Sequence, residues 1–249
     1  MKKILIILLL FLTSCSWKTE NDNYEKIVEI PEASGICYME KSDSFFVAND
    51  EGKIYEINKK WKILNKKNIW NYDFEGIVCD NKKEILYLLI EDSGNLLKID
   101  SEKLKIKWDL ILNLSEKERK KYFNEDSGAE WLAFDGKYFY ISTQNKEKKN
   151  NLLKFSLQQQ KNKNPNHSYN LKVEKTYDIK YRDLSWMTFY KNELYIVSDK
   201  NDLYLIYDFK NKKIKFSEKL KKGNWEWISF DNKWKMFLAD DAWRVVEKK

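Results

Sequence analysis

Asp73-Phe74-Glu75-Gly76-Ile77 is one of five versions of a single phrase in this chain. The others are Glu32-Ala33-Ser34-Gly35-Ile36, Gly128-Ala129-Glu130-Trp131-Leu132, Asp183-Leu184-Ser185-Trp186-Met187 and Asn224-Trp225-Glu226-Trp227-Ile228. Each runs from an acidic or small polar residue to Ser or Glu, then Gly or Trp, then an aliphatic residue. The Gly/Trp position falls at 35, 76, 131, 186 and 227, so the intervals are 41, 55, 55 and 41 residues. Repeats of that length built from short strands indicate the blades of a β-propeller. Such a ring would carry Ser34, Glu75, Glu130, Ser185 and Glu226 to a common axis.

The sequence around each phrase repeats as well. An aromatic-rich run ending in acid or amide residues follows every time, as in Ser44 to Asp50, Ile85 to Asp92, Tyr138 to Asn145, Leu194 to Asp199 and Lys235 to Asp241. A third run follows each of these, and a fourth is readable in four repeats, starting at Trp61, Ile106, Leu171 and Lys213. β-Branched and aromatic runs bounded by Gly, Asn, Asp and Lys at hairpin spacing read as antiparallel strands. The fifth repeat stops at Lys249 with three strands. Tyr24 to Ile30 can supply the fourth, closing the ring and hiding the edges that an open row of blades would expose. The predicted fold is therefore an all-β, five-bladed propeller over 24–249, closed by an N-terminal strand in the last blade. The longer intervals hold two insertions. Ser115 with Glu118 forms a capping box that predicts a short helix from Glu116 to about Phe123, and Gln158 to Tyr169 reads as a polar loop.

The first residues read as a leader. Lys2 and Lys3 precede the apolar run Ile4 to Leu12, and Leu12-Thr13-Ser14-Cys15 has the form of a lipobox. The apolar run is too short to span a bilayer. Residues 1–14 are therefore predicted to be a lipoprotein signal peptide, and 15–23 a lipidated Cys15 followed by a polar tether. Acyl chains on Cys15 would hold the protein on a membrane, since each buried methylene adds about 0.8 kcal/mol. The expected location is the cell envelope, with Ser16 after Cys15 favouring the outer membrane or cell surface. Cys37 and Cys79 remain. One lies two residues after its Gly and the other three, an offset that sends their side chains to opposite faces of their strands. Two buried thiols are expected in preference to a disulfide.

Net charge is +7. The lysines are scattered over every segment, as on a solvated surface, whereas a nucleic-acid site would gather them on one element. No nucleic-acid partner is expected, and a monomer is. His167 is the sole histidine and lies in the polar loop, so no Ser-His-Asp set can be built at the axis. The seven glycines form no phosphate loop.

In a propeller the inner strand starts on the same face as the turn between the second and third strands. That face should gather Glu75, Glu130 and Glu226 at the channel mouth, with Asp50, Glu91, Asp92, Asp199 and Asp240 further out. Clustered carboxylates repel one another unless a cation sits among them. A hard divalent ion taking six to eight oxygens, Ca²⁺ above all, suits such a site. Zn²⁺ does not, because neither His nor Cys is at hand. Against this stands the bland alternative that strand-end acids only cap turns. Trp131, Trp186 and Trp227 read as bulk in the core or channel in preference to a carbohydrate platform.

The stretches Ala33-Ser34-Gly35-Ile36, Phe45 to Gly52 and Asp73-Phe74-Glu75-Gly76-Ile77 resemble the SdiA-regulated, YjiK-like family of bacterial envelope proteins. The resemblance runs over most of Glu32 to Lys249 and is most specific in the first two repeats. It implies a five-bladed propeller with a Ca²⁺ site and no established enzymatic activity, and favours Glu75 and Glu130 as ligands, with Glu226 next. The chain departs from the pattern at Trp131, Trp186 and Trp227, which stand at Gly positions, and at Ser185. The leading expectation is a non-catalytic binding module for an envelope protein, a small molecule or a glycan. The alternative is a metal-dependent hydrolase of the lactonase or phytase kind.

Overall fold

The computed structural model describes residues 24–69, 72–91, 93–112, 114–122, 128–143, 150–159, 169–179, 181, 184–221, 225–233, 235–240 and 244–248. The predicted leader, Cys15, the tether, His167 and Asp92 lie outside them.

Among the described residues there are twenty strands, four to a blade. Strand β1 (Tyr24–Glu29) precedes blade 1, which is β2 (Ala33–Met39), β3 (Ser44–Asn49), β4 (Lys53–Asn58) and β5 (Ile63–Asn68). Blade 2 is β6 (Phe74–Asp80), β7 (Ile85–Ile90), β8 (Leu96–Asp100) and β9 (Lys105–Leu112). Helix α1 (Glu116–Tyr122) leads to blade 3, which is β10 (Ala129–Phe134), β11 (Tyr138–Thr143), β12 (Asn150–Gln159) and β13 (Tyr169–Ile179). Blade 4 is β14 (Leu184–Tyr190), β15 (Glu193–Ser198), β16 (Leu203–Asp208) and β17 (Lys213–Lys219), and β18 (Trp225–Phe230), β19 (Met236–Asp240) and β20 (Arg244–Lys248) begin blade 5. Strand β1 completes blade 5 by pairing antiparallel with β20, from Tyr24↔Lys248 to Glu29↔Arg244. The inner strands neighbour one another in the cycle β2, β6, β10, β14, β18 and back to β2. The ring is closed as the strand arithmetic predicts.

Apolar alternation explains the packing. Inner and second strands are buried on both sides, and the outer strands β5 and β17 are largely exposed. The core falls into wedges between blades. One joins Met39, Phe46 and Ile54 of blade 1 to Phe74, Leu86 and Leu97 of blade 2. Another joins Tyr87 and Leu89 of blade 2 to Phe139 and Phe155 of blade 3. Edge-to-face rings, such as Tyr87 on Phe139 with centroids 4.8 Å apart, fill these wedges.

The helix begins as the capping box predicts. Glu118 N donates to Ser115 Oγ at 3.3 Å and Ser115 N donates to Glu118 Oε2 at 2.9 Å. One feature is absent from the sequence reading. The β12–β13 hairpin is long, and Tyr169, Asn170 and Leu171 pair in parallel with Leu110, Ile111 and Leu112. The outer edges of blades 2 and 3 are thereby joined in an eight-stranded sheet. Among the described residues no helix is long and apolar enough to cross a membrane.

The expectation of two free thiols is wrong. Cys37 and Cys79 form a disulfide, with Cα atoms 5.6 Å apart. Opposite faces keep two side chains apart within one sheet, but Cys37 and Cys79 belong to different sheets. Consecutive blades stack face against face, so two residues meet across the gap only when their side chains leave opposite faces of their own sheets. The one-residue offset between Gly-Ile-Cys and Gly-Ile-Val-Cys is what directs them together.

Candidate metal centre

The five phrases share one irregularity. In every blade the register between the first and second strands slips across the Ser/Glu position: Ala33/Gly35, Phe74/Gly76, Ala129/Trp131, Leu184/Trp186 and Trp225/Trp227. Ser34, Glu75, Glu130, Ser185 and Glu226 are therefore β-bulge residues, left out of the ladder. A bulge twists its strand and re-aims a side chain. Five bulges at equivalent positions set five polar residues around one mouth of the channel. The side chain of Glu226 lies outside the described residues, although its backbone keeps the bulge. The same holds for Asp240, whose backbone ends β19.

Blades 1 and 2 add a second repeated element. Asp50 N donates to Glu32 O and Glu91 N donates to Asp73 O, both at 3.1 Å. In each case the residue after the second strand is tied to the residue two before the bulge. Both partners are acidic, so each blade delivers two carboxylates beside its bulge residue.

The result is one cluster on blades 1, 2 and 3. Oxygens of Asp73, Glu75 and Glu91 all lie within 4.8 Å of one another. Glu130 adjoins it: a Cβ added to Gly128 would lie 3.0 Å from Glu130 Oε1 and 3.9 Å from Glu91 Cγ. The Glu75 carboxyl is pushed up to about 9, first by burial and then by Glu130, Asp50, Glu91 and Asp73. Asp50 is pushed up to about 6, by burial and then by Asp73, while Ser34 holds it down somewhat. Ser34 Oγ is buried and makes no well-formed hydrogen bond, so its polarity opposes the upward push only weakly.

The donor set fits a hard divalent cation. All its atoms are carboxylate oxygens, and two oxygens on one Ca²⁺ ion, each at 2.3–2.6 Å, stand at most about 5 Å apart. The mutual repulsion that lifts Glu75 is the cost such an ion would remove. Among the described residues neither His nor an available thiol adjoins the cluster for Zn²⁺.

Not every expected ligand joins. Asp199 heads a 3₁₀ turn, and its Oδ1 accepts from Trp225 N at 2.9 Å. It does the capping work that strand-end acids usually do. Asn49, beside Asp50, is buried and bonds Pro31 O and Lys53 N. Conversely, Asp73 is central and is not among the expected ligands, while Glu91, expected in the outer set, stands beside Glu75. Asp73 was legible in the phrase itself, two residues before Glu75 on the same side of an extended strand.

Beneath the acids the channel is filled. Trp131, Trp186 and Trp227 are buried, and Trp131 and Trp186 meet edge to face at 5.8 Å. Trp186 spans the axis: a Cβ on Gly35 would come within 2.9 Å of its Cη2, and one on Gly76 within 3.5 Å of its Cζ3. The tryptophans are core bulk as expected, and Gly35 and Gly76 are their complement. At the opposite mouth lies a cavity of about 410 Å³, lined by residues of all five blades, including Tyr38, Cys79, Phe134, Tyr190 and Phe230.

Fold and site together define a five-bladed β-propeller with an acidic mouth on three blades. Among solved structures it is similar to Myxococcus xanthus glutaminyl cyclase, with TM-score 0.64 and 12% identity over 90% of this chain and 94% of that one. It is also similar to the Myceliophteria thermophila Cps50 (Swd1) β-propeller domain, with TM-score 0.52 and 6% identity over 91% and 99%. At these identities the likeness shows the architecture alone. No family model and no curated protein matches the chain.

Proposed function

We propose that this chain is a lipid-anchored envelope protein whose propeller binds a divalent cation, Ca²⁺, through Asp73, Glu75 and Glu91, with Asp50 and Glu130 completing the set. In this reading it is a binding module that displays the ion-organised face to an envelope protein, a small molecule or a glycan, and it works as a monomer. The single observation that carries the reading is the convergence of three carboxylates within 4.8 Å around a half-buried Glu75. The Cys37–Cys79 bridge supports an address outside the reducing cytosol, in keeping with the lipobox at Cys15. The likeness of Ala33 to Ile36 and Asp73 to Ile77 to the YjiK-like family supports the same assignment.

Thermal melting with increasing CaCl₂ after chelation tests it. A ligand that binds only the folded state raises Tm in a saturable way, and Glu75→Gln should abolish the rise. A Tm indifferent to calcium defeats the proposal.

One observation favours a second reading. Glu75, pushed up to about 9 by burial and neighbouring carboxylates, carries a proton at a solvent-facing mouth, as a general acid must. The chain would then be an enzyme, either a metal-dependent hydrolase of the lactonase or phytase kind or one resembling its neighbour, the glutaminyl cyclase. Assays on peptides with an N-terminal glutamine, on lactones and on phosphate esters separate the readings. Turnover lost in Glu75→Gln favours the enzyme, and no turnover with intact calcium binding favours the module.

A further inference from the structure

The disulfide and the acidic mouth occupy opposite ends of the same two strands. Cys37 lies three residues beyond Ser34 on β2, and Cys79 lies four beyond Glu75 on β6. At about 3.3 Å per residue these separations are roughly 10 and 13 Å. Between bridge and mouth the strands touch, since a Cβ on Gly35 would stand 2.9 Å from Ile77 N. At the mouth itself Asp50 of blade 1 lies within electrostatic reach of Asp73 and Glu91 of blade 2. Without an ion, their mutual repulsion disfavours the close approach of blades 1 and 2 at that end. The covalent tie at the other end opposes it.

We infer that the Cys37–Cys79 bridge is a reducible tie that sets the cation affinity of the acidic mouth; the inference rests on the cation reading above. The bridge holds β2 and β6 at binding distance before the ion arrives, so the ion does not have to draw them together. Pre-organisation of this kind raises affinity by reducing the cost of ordering. The bridge is also reachable. Both cysteines line the solvent-open cavity of about 410 Å³ at the far mouth, a volume within the range of small-molecule sites. A small dithiol entering there attacks one sulfur as its thiolate and forms a mixed disulfide. Its second thiol then displaces the protein cysteine. The products are two cysteine thiols here and a disulfide in the reductant, with two electrons and two protons transferred.

The coupling is reciprocal by thermodynamic necessity. The bridge should tighten calcium binding, and bound calcium should make the bridge harder to reduce by the same factor. A tenfold effect, roughly mid-range for coupled sites, is expected. The experiment measures calcium affinity by isothermal titration on the oxidised protein and after treatment with dithiothreitol, with far-UV circular dichroism to verify the fold. In parallel, the fraction reduced is read by alkylation and mass shift across a dithiothreitol redox buffer, with and without CaCl₂. Weaker binding by the reduced chain, and protection of the bridge by calcium, support the inference. Should the reduced chain lose its dichroism, the titration is run on a Cys37→Ala, Cys79→Val variant, which refills the apolar contact without the bond. Equal affinity with and without the bridge overturns the inference while leaving the cation site standing. Absence of binding to the oxidised protein overturns both.

Discussion

Blades 1 and 2 place Gly35 and Gly76 after the bulge, where blades 3, 4 and 5 place Trp131, Trp186 and Trp227. The bulges themselves divide in another way. Blades 1, 2 and 3 surround theirs with Glu32, Asp50, Asp73, Glu75, Glu91 and Glu130, whereas the bulge of blade 4 is Ser185 and its nearby Asp199 is occupied with Trp225 N. A fivefold sequence repeat therefore yields an asymmetric hub. Among the described residues the carboxylates gather on blades 1 to 3, and the tryptophans of blades 3 to 5 supply the bulk that fills the axis. The glycines are required because Trp186 crosses to them. Five equal rings would not fit, and five acids would spread their repulsion evenly without building one chelating pocket.

The comparison can be broken from the bulky side first. Trp186→Ala empties the centre of the disc and should cost about 3–5 kcal/mol, as large aromatic truncations do. Chemical denaturation measures it, and a loss below 1 kcal/mol would mean that Trp186 does not hold the blades together.

From the acidic side the sign reverses. Burial and like charges hold Glu75 at about 9 in the fold against 4.5 in the open chain. Its contribution is intact below about pH 4.5 and is progressively lost as pH rises towards 9, because the unfolded chain gives up this proton more readily. Asp50 acts in the same direction between 3.8 and about 6. In chelator, stability should fall with rising pH across this window, and Glu75→Gln should stabilise the protein at pH 7.5 by on the order of 3 kcal/mol. Added calcium should reverse the pH trend in the parent chain only. Melting curves at pH 5 and pH 7.5, with and without calcium, check both signs.

The smallest effect sharpens the fit between the halves. Gly35→Ala puts a methyl 2.9 Å from Ile77 N, a backbone atom, and 2.9 Å from Trp186. It should cost about 1–3 kcal/mol by overpacking. Gly76→Ala, which meets Leu132 Cβ at 3.2 Å, should cost less. A double-mutant cycle of Gly35→Ala with Trp186→Phe should show coupling, because the two sites touch.

Much of this was legible in the sequence. The phrase recurs because each blade needs the same bulge, and the strand arithmetic forced the chain ends together. The capping box at Ser115 foretold α1. The site was half legible. Glu75 and Glu130 stood out by recurring at one blade position and Glu91 as a strand-end acid, but Asp73, present in the phrase, is set beside them by the backbone tie between 73 and 91. Looking for what all blades share hides what two neighbouring blades do together. The disulfide was misread for a related reason: the face rule of one sheet inverts between stacked sheets. The parallel pairing of β13 with β9 left no local signal, since it depends on the reach of a long hairpin.

The central claim is that one half of the ring, and not the other, holds the ion. Isothermal titration of CaCl₂ into chelator-treated protein tests it most directly, on the parent chain, Glu75→Gln and Ser185→Ala. The account predicts one saturable site in the parent and in Ser185→Ala, and none in Glu75→Gln. Binding that survives Glu75→Gln, or is lost with Ser185→Ala, would contradict it.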